Sequence, residues 1–141
     1  RLINKLNNNI KYDFYGYKNK QPIWGDDFYV ALKNSKMGLN LSRGEPTKLY
    51  SSNRIASLMG NGLLTFIDRK TEFNKIFNNN EVILYNTVGD LSDKINFFKK
   101  NEKSRIKIAK NGQKKYFKLF NEKKISKYIV EKSFGNNAKL F

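Results

Sequence analysis

Residues 50–67 read YSSNRIASLMGNGLLTFI. Small polar residues lead into Arg54, a short apolar segment follows, then Gly60 and Gly62, then a continuous apolar run. Ser51, Ser52 and Asn53 are residue types that cap helix N-termini, and GLLTFID (62–68) has the make-up of a buried strand. The stretch is therefore a passage from a loop, through a short helix (52–60), into a strand. Gly62 stands where the chain must turn sharply, and Gly60 or Asn61 is the candidate for a left-handed conformation at the helix end. Arg54 is out of place, because the first turn of a helix favours acidic side chains over basic ones. An anion bound at the helix N-terminus resolves the conflict, and phosphate suits the guanidinium fork.

Working outward, three further segments read as strands: IKYDFYGY (10–17), KMGLNLS (36–42) and EVILYN (81–86). Helical patterns lie between them at DDFYVALKNS (26–35) and, more briefly, TEFNKIF (71–77). Strands alternating with helices at this spacing predict crossover units and a parallel sheet of about four strands. Beyond residue 88 the pattern is helical only. Asp90 is the expected N-cap of a helix with Leu91, Ile95 and Phe98 on one face. EKSRIKIAKNGQKKYFKLFN follows, with a stripe of Ile106, Ala109, Tyr116 or Phe117, and Phe120. Gly112 inside it costs about 1 kcal/mol relative to Ala, which implies close packing or a break. KKISKYIVEKSF, carrying Ile125, Tyr128 and Ile129, is the last helix. The expected organisation is one α/β domain over 1–135 with a helical C-terminal part and a tail at 136–141.

Composition narrows the chemistry. The chain has 39% hydrophobic and 14% aromatic residues over 141 positions, enough for a folded core. Cysteine and histidine are both absent, so this chain alone builds no disulfide, no thiolate or imidazole zinc site and no Ser-His-Asp triad. No metal ligation is expected. The lack of cysteine fits a reducing compartment, the cytoplasm. No apolar run approaches the roughly 20 residues of a membrane span. RLINKLNNNI has no signal-peptide pattern, and it starts without Met, as a piece of a longer chain would. The formal net charge is +16. Part of it is the solvated lysine of a Lys- and Asn-rich composition; the partners it admits are a nucleotide diphosphate, a nucleic acid or an anionic lipid surface.

In a parallel sheet, ligands bind outside the carboxyl ends of the strands. Two loops leave such ends with suitable residues: Tyr15-Gly16-Tyr17, and SRGEPTKLYSSNR (42–54). The second brings Arg43, Gly44 and Glu45, then Pro46 and Lys48, before the capping residues and Arg54.

NRIASLMGNGLLTF resembles the signature of group 1 glycosyltransferase C-terminal domains, and is similar to the spore-maturation-type branch. There an Arg, an aromatic, a Glu and small or apolar residues precede a Gly and an apolar strand. EFNKIFNNNEVILYNTVGDLSDKINFF and EKSRIKIAKNGQKKYFKLFN resemble the segments that follow in that family, and FYG with MGLNLS its beginning. The resemblance spans roughly 12–132. It implies a Rossmann-like domain, the second half of a GT-B glycosyltransferase, that binds a nucleoside-diphosphate sugar as substrate. It further implies no cofactor and no metal, a missing N-terminal acceptor-binding domain, and Arg43 and Arg54 as the cations that stabilise the leaving diphosphate. The implied donor-binding set is Gly16, Arg43, Gly44, Glu45, Lys48, Ser51, Ser52, Asn53, Arg54, Ser57 and Gly62. One position departs from the pattern: Ser57 stands where family members carry a Glu that accepts hydrogen bonds from the donor ribose. Two other readings compete. One is a basic nucleic-acid-binding module using aromatics such as those of KKYFKLF; the other is a degenerate Rossmann-like scaffold without activity. The basic helices also admit peripheral contact with an anionic membrane.

Overall fold

A computed structural model describes residues 10–17, 19–41, 44–50 and 52–137. Three strands, β1 (Met37–Asn40), β2 (Leu64–Asp68) and β3 (Ile83–Tyr85), form a parallel sheet in the order β1-β2-β3. Five helices accompany them: α1 (Gly25–Asn34), α2 (Asn53–Gly60), α3 (Val88–Lys100), α4 (Glu102–Leu119) and α5 (Glu122–Ser133). The fold is α/β and Rossmann-like, with a helical C-terminal part. Phe66 of β2 lies opposite Leu39 on one side and Ile83 on the other.

β2 is buried on both faces, as the central strand of a covered parallel sheet must be. Leu64 and Phe66 join Ile83, Tyr85, Leu91, Ile95, Phe98 and Ala109 in one apolar cluster. Ile67 turns the other way and packs with Ile55 and Met59 of α2, Phe73, Phe77, Val82 and Leu84. A third, small cluster of Leu32, Leu58 and Leu63 ties α1 to α2.

Several expectations are corrected. Residues 10–17 form no strand; Ile10 is buried in the first cluster and Phe14 packs against it, so the segment adds apolar cover without joining the ladder. Residues 71–77 form no helix but part of two 3-10 turns, Arg69–Thr71 and Phe73–Lys75, separated by Glu72 in the left-handed conformation. The N-cap of α3 is Thr87, whose hydroxyl accepts from the Asp90 N–H, while the Asp90 carboxylate accepts from the Asn86 N–H. On α4 the inward face is Arg105, Ala109 and Gly112, continued by Tyr116; Ile106 and Phe117 are exposed. Arg105 is tolerated inside because its guanidinium donates to the Phe98 carbonyl and pairs with Glu102. At the end of α2 neither Gly60 nor Asn61 takes the left-handed conformation; Gly62 does, at φ 73°. No helix is long and apolar enough to cross a membrane among the described residues.

Gly112 marks close packing and not a break. A Cβ there would collide with the carbonyl oxygen of Glu81, two residues before β3, and press on Met59. Backbone cannot yield as a side chain does, so Gly112→Ala is expected to destabilise by about 1–3 kcal/mol. Gly60→Ala, where a Cβ meets nothing, is expected to be neutral or slightly stabilising. Urea unfolding midpoints of the two variants check the contrast.

Candidate functional site at the carboxyl ends of the strands

β1 ends at Asn40, β2 at Asp68 and β3 at Tyr85, and the chain leaving each end supplies one wall of a polar crest. From β1 the segment 41–52 leads to α2. Its N-cap position is Ser52, whose side chain makes no capping bond to the first-turn N–H groups. Arg54 is exposed and its Nη1 donates to the carbonyl of Leu41, the residue just past β1. That bond turns the guanidinium toward the strand end, and no carboxylate pairs with it among the described residues. The remaining N–H groups of the fork stay available to an anion.

From β2, the Asp68 carboxylate accepts from the Lys70 N–H and the Asp68 carbonyl from the Thr71 hydroxyl, winding the exit into a tight turn. Glu72 follows at φ 58°, a conformation that costs a non-glycine residue energy. Its carboxylate holds Lys48 at 2.6 Å and Lys75 at 2.5 Å. One link of this clamp joins the β1–α2 segment to the β2 exit, and the Leu49 N–H donates to the Thr71 carbonyl at 2.7 Å beside it. Leu49 also has positive φ, 52°. Hydrogen bonds from Lys48 and then Lys75 hold the Glu72 carboxyl at about 2, below its ordinary 4.5, and the same contact raises Lys48.

From β3, Asp90 is held below the usual carboxylate range, first by Lys94 and then by the Asn86 N–H. Lys94 also donates to the Leu84 carbonyl at 2.8 Å. Tyr85 is pushed up to about 12 by burial and, secondarily, by the charge of Asp68. Three or more acidic side chains do not gather as a metal would need among the described residues.

Gly44, Glu45, Lys48, Ser52, Asn53 and Arg54 thus lie on the β1 side of the crest. Ser57 is one helical turn further along α2, and its hydroxyl donates to the Asn53 carbonyl. Gly62 lies just before the amino end of β2, where its positive φ serves the α2–β2 turn; in a parallel sheet that is the end of the strands opposite the crest. Gly16 occupies an exposed turn closed by its N–H to the Lys20 carbonyl, and no strand precedes it. Arg43 and Ser51 lie outside the described residues. Asp68, Arg69, Lys70, Glu72 and Asn86 were not singled out from sequence, and Asp90 only as a helix cap, although each ends or follows an anticipated strand.

A family profile described as glycosyl transferase-like matches residues 1–131. The chain belongs to the glycosyl transferase-like family. No curated protein and no solved structure matches it. For this glycosyl transferase-like domain, the match covers all three strands, α1 to α4 and the whole crest.

The Glu72 clamp has a pH signature. A carboxyl whose folded value is lowered adds stability that is present above its ordinary value and lost as pH falls through the folded one. Glu72→Gln removes that contribution. The stability gap between wild type and variant is therefore expected to be largest above pH 4.5 and to close as pH falls toward about 2. Urea midpoints across that range check it; a gap independent of pH would mean the clamp does not form.

Proposed function

We propose that this glycosyltransferase-type domain binds a nucleoside-diphosphate sugar at the crest and serves as the donor half of a GT-B enzyme. A separate N-terminal half carries the acceptor. The observation that carries the reading is the Arg54–Leu41 contact, which keeps a cation of unfavourable sign for its helix turned toward the end of β1. A diphosphate between Arg54 and the N-terminus of α2 gives that cation its counter-charge. As the sugar leaves, negative charge grows on the departing diphosphate, and donors already pointing at it lower the barrier without reorganising. Arg54 and Arg43 are assigned to that charge, with the N–H groups around Ser52 and Asn53. Lys48, Gly44, Glu45, Ser51 and Ser57 complete the donor-binding group in this reading.

The nucleic-acid alternative finds little support in the aromatics that suggested it. Tyr116 and Phe120 stack on each other at 5.0 Å and pack against the core, leaving Phe117 of that run exposed. A single exposed ring is no row of stacking platforms.

A thermal-shift and calorimetric screen against UDP, GDP, ADP and CMP tests the proposal. One nucleotide is expected to raise the melting temperature. Arg54→Ala is expected to weaken its binding by about tenfold or more, the range for a charge-assisted bond. Arg54→Lys, which keeps the charge but not the fork, should fall between. Binding unchanged in Arg54→Ala would remove Arg54 from the site.

A further inference from the structure

Asn40, the last residue of β1, is 5% exposed, and its side-chain oxygen has no hydrogen-bond partner. Among the described residues it is the buried side-chain polar atom left in that state. Three other buried polar residues among those described are matched: Thr65 donates to the Leu63 carbonyl, Thr71 to the Asp68 carbonyl, and Arg105 to the Phe98 carbonyl. An unpaired buried acceptor costs about 1–3 kcal/mol, and a leucine of similar size would avoid that cost.

The position of Asn40 bears on its use. Side chains alternate along a strand, so Asn40 faces the same side as Gly38, and a Cβ on Gly38 would collide with Leu58 of α2. Two residues along β1 advance about 6.6 Å, and four residues back along the oppositely directed α2 about 6 Å. Asn40 therefore stands level with Arg54 and Ile55, under the first turn of α2. The next residue in the chain, Leu41, is the one whose carbonyl Arg54 holds. The orphaned acceptor and the cation share one corner of the crest.

We infer that the Asn40 side-chain oxygen is reserved for a hydroxyl of the bound donor, a ligand that presents a sugar or ribose hydroxyl close to its diphosphate. The inference rests on the crest being the nucleotide-sugar site. It assigns an acceptor role to a buried amide at the end of β1, while the hydroxyl of Ser57 gives its own hydrogen to the Asn53 carbonyl. In the free domain the unpaired oxygen is a retained cost; in the complex it is satisfied.

The test compares wild type with Asn40→Leu and Asn40→Asp, using whichever of UDP, GDP, ADP or CMP wild type binds, and the corresponding nucleotide sugar. Asn40→Leu is expected to raise the melting temperature of the free protein by a few degrees and to weaken binding about tenfold. Asn40→Asp keeps the acceptor oxygen and is expected to retain more affinity for the sugar conjugate than Asn40→Leu. A lower melting temperature for Asn40→Leu overturns the inference, because it means a buried water already satisfies the oxygen. Unchanged affinity in Asn40→Leu overturns it as well. Failure of wild type to bind any of the nucleotides or their sugars overturns the reading of the crest, and this inference with it.

Discussion

The structure depends on β2 having no polar face. Leu64, Thr65, Phe66 and Ile67 are all at most 1% exposed, so the strand can exist only with apolar cover on both sides. That requirement recruits α3 through Leu91, Ile95 and Phe98 on one side and α2 through Ile55 and Met59 on the other. α4 serves both, contributing Ala109 to the first side and Tyr116 to the second. At about 25 cal/mol per Å² of apolar surface removed from water, burial on two faces outweighs any single hydrogen bond in the crest. The crest is consequently free to hold polar groups in costly arrangements: Leu49 and Glu72 at positive φ, Arg54 in a first helical turn, Asn40 unpaired.

The frame was legible in the sequence to the extent that it is local and periodic. Runs such as GLLTFID and EVILYN state their own burial, and the apolar spacing in 91–98 states the face of α3. The N-terminal aromatics mislead because IKYDFYGY alternates as a strand would, while ladder pairing is decided by geometry elsewhere in the chain. TEFNKIF misleads differently. Its apolar residues Phe73, Ile76 and Phe77 do face the core, but Glu72 takes the left-handed conformation and splits the segment into 3-10 turns.

The site was legible in part for the same reason. An arginine opposing a helix dipole is an anomaly visible in one dimension, and Arg54 does turn toward the strand end. Glu72 is an ordinary glutamate in sequence; its part in the crest comes from Lys48, more than twenty positions earlier, which no local pattern announces. Asn40 gave a faint signal as an amide inside an apolar strand, but its lack of a partner is a fact of three dimensions. Gly62 is the opposite case, a conspicuous glycine whose positive φ serves the turn at the amino end of β2.

The link between the β1–α2 segment and the β2 exit carries a thermodynamic consequence. A tether at Lys48 and Leu49 divides one long excursion into two shorter ones, and loop-closure entropy grows with the logarithm of loop length. The placing of Lys48 and Leu49 is then made in the free domain and is not left to the moment of association. A ligand arriving there loses less of its interaction energy to arranging the protein, which is the general advantage of a preorganised surface. The same tether couples two neighbouring residues: moving Lys48 and Leu49 away from the β2 exit breaks an ion pair and a backbone bond together. Displacement of Lys48 and Leu49 from the β2 exit should therefore be slower than the free wandering of an exposed loop.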